Sequence, residues 1–157
     1  MIMPPELSTF LIAMSPIVEL RGAIPVAIAV YHLPVWSAYL FSVLGNLVPL
    51  TLIVLLGEPV SKFISKKIHF LGRALELLFV HTRKTQQSKF EKLGKNLAVI
   101  ILVATPIPFV GGWTGAIAAF VFGVPLKRAL PLVVTGSFLA GAIVTTITLG
   151  TMRIFFI

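Results

Sequence analysis

Glu19 and Arg21 stand two positions apart inside an otherwise apolar stretch, residues 7–33. Each charge held at mid-depth in a bilayer costs about 3 kcal/mol on insertion scales, so an intramembrane pair is first read as functional. Glu19 could bind and release a proton or hold a cationic group, with Arg21 balancing its charge. The plainer reading is an ion pair that stitches a turn. Pro16, Gly22 and Pro25 surround the pair, and each proline removes a backbone donor and disturbs the preceding turn. A second unusual string runs Thr105-Pro106-Ile107-Pro108-Phe109-Val110-Gly111-Gly112-Trp113-Thr114-Gly115. It offers the Thr105 and Thr114 hydroxyls, the Trp113 indole and, at Gly111, Gly112 and Gly115, close backbone approach. Amides exposed at a half-helix N-terminus there would favour an anion. Otherwise the glycines only let two turns pack together, and Trp113 is a packed indole.

No other residues form a chemical set. There is no aspartate, and His32, His69 and His81 fall in expected loops or a surface helix, apart from one another. No Ser/His/acid arrangement, phosphate loop or metal spacing occurs. We therefore expect no enzyme activity, no metal and no cofactor. The absence of cysteine excludes disulfides and thiolate metal sites.

The elements that must position these residues are membrane helices. Hydrophobic residues make up 57% of the 157-residue chain and charged residues 11%, with a mean hydropathy of +1.03. A soluble domain carries roughly 25% charged residues. No charge lies between Gly22 and Glu58, between Asn96 and Leu126, or between Ala129 and Met152. A spanning helix needs about 20 apolar residues, and each run is longer. Residues 61–95 gather nine lysines and arginines against Glu76 and Glu91. Between spanning helices, such a patch reads as a cytoplasmic loop under the positive-inside rule rather than a nucleic-acid surface. The start, Met1-Ile2-Met3-Pro4-Pro5-Glu6, lacks the basic region and cleavage site of a signal peptide.

Residues 7–33 are expected to form two short arms meeting at the break that holds Glu19 and Arg21. Arms of about 12 residues reach about 18 Å, over halfway through the hydrocarbon core. Residues 35–57 read as a spanning helix with Trp36 and Tyr39 at its interface end and Ala38, Ser42, Gly45 and Asn46 as a small packing face. Residues 61–80 read as an amphipathic helix, with Ile64, Ile68, Leu71, Leu75 and Leu78 at helical spacing. It would lie on the lipid surface or dock on the protein's own loops. Residues 81–96 read as a solvated turn or helical extension. Residues 97–124 repeat arm, break and arm, and residues 129–152 read as the last spanning helix.

Shifted by 91 positions, the halves align: Pro34 with Pro125, Ala38 with Ala129, Gly45 with Gly136, Asn46 with Ser137. If both broken segments return to their own side, Lys127 and Arg128 join the basic loop inside, and Arg153 lies outside. If those segments crossed, Lys127 and Arg128 would move outside, against the positive-inside rule. The halves then run in opposite orientation, a recurring transporter design with its site at the breaks. The expected fold is thus an all-α integral membrane protein. It is one membrane domain over residues 1–157, an inverted repeat of re-entrant helical hairpin plus transmembrane helix. Repeat 1 covers about 5–58, repeat 2 about 97–152, and a basic amphipathic cytoplasmic helix over 59–96 joins them.

The string Glu19-Leu20-Arg21-Gly22-Ala23-Ile24-Pro25, with Thr105-Pro106-Ile107-Pro108 and Gly111-Gly112-Trp113-Thr114-Gly115, resembles the small multidrug export protein family over most of the chain. That family is distantly similar to the DedA and VTT-domain membrane proteins. The resemblance implies two facing re-entrant hairpins, proton-dependent transport or lipid translocation, and a role for Glu19 as the acidic residue of the first hairpin. DedA-type proteins carry arginines around the proline of the second hairpin, whereas this chain has Val103, Thr105 and uncharged neighbours. The resemblance therefore does not carry lipid-phosphate binding to that hairpin.

Together these readings give an expectation: proton-linked export of small amphiphilic compounds in a prokaryotic plasma (inner) membrane, by a multi-pass protein. Its partners would be the lipid bilayer, a small amphiphilic substrate or lipid, and further copies in a homo-oligomer, with no nucleic acid. The site would comprise Glu19, Arg21, Pro25, Thr105, Pro106, Pro108, Gly111, Gly112, Trp113 and Thr114. A lipid flippase or scramblase and a non-transporting membrane scaffold are the alternatives.

Overall fold

The computed structural model describes the backbone of residues 3–67, 69–107 and 111–155, and their side chains except at 58, 60–62, 64–67, 69–72, 75 and 155. Every regular element among them is helical: α1 (Pro5–Ala13), α2 (Glu19–Ala29), α3 (Val35–Lys67), α4 (His69–Ala104), α5 (Gly112–Val121) and α6 (Leu126–Phe155). Within α3 and α6, the stretches Val35–Gly57 and Leu126–Ile154 are long and apolar enough to cross a bilayer. In the most apolar 18 residues of each, only 33% of the first and 39% of the second are buried. Leu44, Leu52, Leu56, Leu139, Ile143 and Ile147 all face outward. A soluble protein's core helix would hide these side chains; lipid accepts them.

The two long helices are antiparallel. Tyr39 donates its hydroxyl to the Phe138 carbonyl at 3.0 Å, and its ring lies against Gly141. Asn46 Nδ2 lies 3.5 Å from Ser137 Oγ. Val54 shares a cleft with Ala129. Contacts thus move back along α6 as they advance along α3. The end of the apolar stretch of α3 lies beside the start of α6, so the segment between them begins and ends at one end of the molecule. Arg83 on α4 also donates to the Val121 carbonyl at 3.3 Å, placing the basic segment at that end.

The short helices pack between the long ones. α1 packs on α2 and α3, and α5 packs on the last part of α4 and on α3. Glycines permit this closeness. A Cβ on Gly45 would collide with the Phe10 carbonyl oxygen, and one on Gly136 would lie 2.6 Å from Val103 Cβ. Leu50, Val99, Leu102, Val103, Ala116 and Val133 form the core around α5. Leu20, Ile24, Ala140 and Val144 form a second core between α2 and α6.

Several backbone features recur at the 91-residue offset. His32 (φ 53) and Gly123 (φ 64) are both left-handed. Pro34 and Pro125 follow two residues later, and each carbonyl accepts from the amide four residues on, Ala38 at 3.0 Å and Ala129 at 2.9 Å. Asn46 and Ser137, at the same offset, meet each other across α3 and α6.

The elements differ from the sequence expectation in three ways. The first break spans 14–18, and Pro25 lies inside α2 rather than in the break. Gly112–Gly115 opens α5 instead of extending the irregular stretch, because Gly115 N–H donates to the Gly111 carbonyl and closes a helical turn. The helix of 35–57 continues to Lys67 through Pro59. Of the two forms expected for residues 81–96, the structure has the helical extension, kinked at Gly94 (φ 75, ψ 159). Pro108 and the Ile64, Ile68, Leu71 and Leu75 side chains lie outside the described residues.

Candidate functional site at the junction of the two breaks

Glu19 is the first residue of α2 and has φ 52, a left-handed conformation rare for a residue with a side chain. Such strain collects at functional sites and persists only where the surroundings enforce it. Here the Glu19 amide is tied back to the Ser15 carbonyl at 2.9 Å. The carboxylate is then held from two sides. Arg21 Nη2 donates to Oε2 at 2.7 Å, and the Trp113 amide approaches Oε1 at 3.4 Å. The Glu19 side chain is 5% exposed and that of Arg21 17%. An ionised carboxylate this deep requires such partners.

The Trp113 contact comes from the other half of the chain, so the two breaks meet. Gly111 makes this possible: a Cβ there would lie 2.7 Å from Arg21 Nη2 and 3.1 Å from Glu19 Oε2. Gly112 abuts α3, where its Cβ would lie 2.9 Å from Leu50 and 3.3 Å from Asn46 Nδ2. Asn46 is the midpoint of the apolar stretch Val35–Gly57. The junction therefore sits midway along it. At the first turn of α5 the Trp113 amide points toward Glu19, and the fixed partial charge of a helix N-terminus favours that anion.

Clefts lie on both sides of the junction. One of about 380 Å3 is lined by Arg21, Pro25, Pro106, Val144, Thr148 and Met152, among others. It follows the last third of α6. The other, of about 350 Å3, is lined by Trp113, Phe120, Pro49, Gly57, Leu78 and Phe79, among others. It follows the later half of the apolar stretch of α3. Glu19 lines neither cleft, and Arg21 and Trp113, its two partners, line one each.

A family model described as "Putative small multi-drug export protein" matches residues 19–143. The chain belongs to this small multi-drug export family. The match opens at Glu19, the first residue of α2, and takes in the second break, with α1 and the first break outside it. No curated protein and no solved structure matches the chain. For a small multi-drug export protein, the outward apolar faces of α3 and α6 are the surfaces that lipid covers.

In this export family member, the structure brings together Glu19, Arg21, Gly111, Gly112 and Trp113, and sets Pro25 and Pro106 in the cleft beside Arg21. Thr105 does not join them: its hydroxyl donates to its own helix at the Ile101 carbonyl. Thr114 is half-buried in the first turn of α5. Sequence reasoning missed Leu78 and Phe79 on one wall and Val144, Ile147 and Met152 on the other, because these side chains are apolar and look like any helix surface. It also missed the polar atoms Ser42 Oγ, Asn46 Oδ1 and Trp113 Nε1, which are buried with no partner among the described residues. The offset pairing of Asn46 with Ser137 was the available signal for that buried polar patch.

Proposed function

We propose that the chain is a proton-linked exporter of small amphiphilic compounds, with its site where the two breaks meet. In this reading both broken segments are re-entrant hairpins and the halves are inverted repeats. The membrane is a prokaryotic plasma membrane, and the working unit is a homo-oligomer. The observation that carries the reading is the buried Glu19 carboxylate, held by Arg21 from its own half and by the Trp113 amide from the other. A proton arriving on Glu19 would weaken both contacts together, loosening the junction that separates the two clefts. Loss of the proton would close it again. The chemistry asked of the protein is modest: Glu19 carries the proton, Arg21 balances its charge, and Gly111 and Gly112 let the tips approach. The antiparallel course of α3 and α6 supports the return of residues 68–125 to the side they left. Flux of an amphiphilic dye from proteoliposomes under an imposed pH gradient tests the reading. Glu19→Gln is expected to abolish the pH-dependent component; unchanged flux would remove Glu19 from the mechanism.

A second reading, lipid flipping, draws support from the cleft beside Arg21, whose wall residue Ile147 is 56% exposed, so that the cleft opens sideways. Movement of labelled lipid without dye flux in the same vesicles would favour it.

A further inference from the structure

Charge is unevenly distributed in the cleft beside Arg21. Among the described residues that line it, Arg21 is the only one with a formal charge. Glu19 does not line it, and its two oxygens are engaged by Arg21 and the Trp113 amide. Arg21 uses Nη2 for Glu19, and its remaining guanidinium donors have no protein acceptor among the described residues. A guanidinium offers five donors in a planar fork that suits carboxylate, phosphate and sulfonate oxygens. The rest of the wall is mainly aliphatic, with Val144, Ile147 and Met152. Thr148 offers little, since its hydroxyl donates to the Val144 carbonyl.

From this arrangement we infer that the cleft binds amphiphilic anions: a carboxylate, phosphate or sulfonate head on Arg21, and an apolar tail along Val144, Ile147 and Met152. The inference rests on the export reading of the same site and adds the sign of the substrate's charge. A cationic amphiphile would place its charge against Arg21 with no carboxylate facing the cleft, and like charges in a poorly solvated site repel strongly. The anionic head also competes with Glu19 for one guanidinium. Removing the Glu19 charge therefore frees Arg21 for the ligand. The ligand head is the same whether it belongs to a soluble amphiphile or to an anionic phospholipid that enters sideways past Ile147.

Binding, measured without transport, tests this. The protein in nanodiscs of zwitterionic lipid is titrated with decanoate, decyltrimethylammonium and decanol, which share a tail and differ in head. Decanoate is expected to bind tightest. Arg21→Gln should weaken decanoate by about tenfold to hundredfold and leave decanol unchanged, as expected for loss of a charged hydrogen bond. Glu19→Gln should tighten decanoate. Because Arg21→Gln leaves Glu19 buried alone and could unfold the protein, the double variant Glu19→Gln/Arg21→Gln is the control: it should bind decanol but lose the preference for decanoate. Competition by phosphatidylglycerol would assign the site to bilayer lipid, and its failure to compete would assign it to soluble amphiphiles. Equal binding of decanoate and decanol, or a preference for decyltrimethylammonium, would overturn the inference. Dye flux that depends on Glu19 would survive that outcome. Anion preference without flux would instead overturn the export reading and leave the site.

Discussion

The backbone amide of Trp113 lies 3.4 Å from the Glu19 carboxylate, across 94 positions of sequence. That contact joins the break between α1 and α2 to the one before α5. It also makes the environment of one buried carboxylate depend on how both halves are packed.

Gly111 is the spacer in this junction. Its φ of −174° is ordinary extended backbone, so an alanine there meets no conformational strain. The added methyl would instead press on Arg21 Nη2 and Glu19 Oε2. We expect Gly111→Ala to lower stability by about 1–3 kcal/mol through overpacking and to reduce flux strongly. Thermal unfolding in detergent read beside vesicle flux checks both.

The other glycines should divide by what their missing Cβ would meet. Gly45→Ala pushes a methyl into α1 and Gly136→Ala pushes one into the last part of α4, and each is expected to destabilise the fold by about 1–3 kcal/mol. On Gly57 a Cβ would make only ordinary contact with Phe120 at 3.4 Å, and on Gly150 it would meet nothing within 4 Å. Gly57→Ala should be near neutral, and Gly150→Ala should gain up to about 1 kcal/mol from helix propensity. Chemical denaturation of the four variants in one detergent gives the order.

His32 and Gly123 occupy matching left-handed positions, one with a side chain and one without. A left-handed residue with a Cβ costs about 1 kcal/mol relative to glycine. His32→Gly is therefore expected to be neutral or slightly stabilising despite the added freedom of the unfolded chain. Gly123→Ala should cost about 1 kcal/mol although its Cβ would have open space. A reversed order in thermal unfolding would show that the two turns are not equivalent.

Much of this was legible from residue types alone. Pro16 and the Thr105–Gly111 string marked the breaks, because proline and glycine disrupt helices whatever surrounds them. Glu19 and Arg21 stood out because charge is costly among apolar neighbours. Other features depend on packing that a linear pattern does not contain. Pro25 remains inside α2, and α3 runs through Pro59. Gly112 begins a helix rather than ending one, because its neighbours supply the first turn. Neither Arg21 nor Trp113 announced which cleft it would face, since that is set by α6 and α4, distant in sequence.

The central claim is that each broken segment turns back and leaves on the side it entered. The chain has no cysteine, so single cysteines can be introduced at His32, Lys84, Lys127 and Arg153 and labelled with a membrane-impermeant maleimide in oriented vesicles. Lys84 and Lys127 should label from one face, and His32 and Arg153 from the other. Labelling of Lys84 and Lys127 from opposite faces would contradict the account.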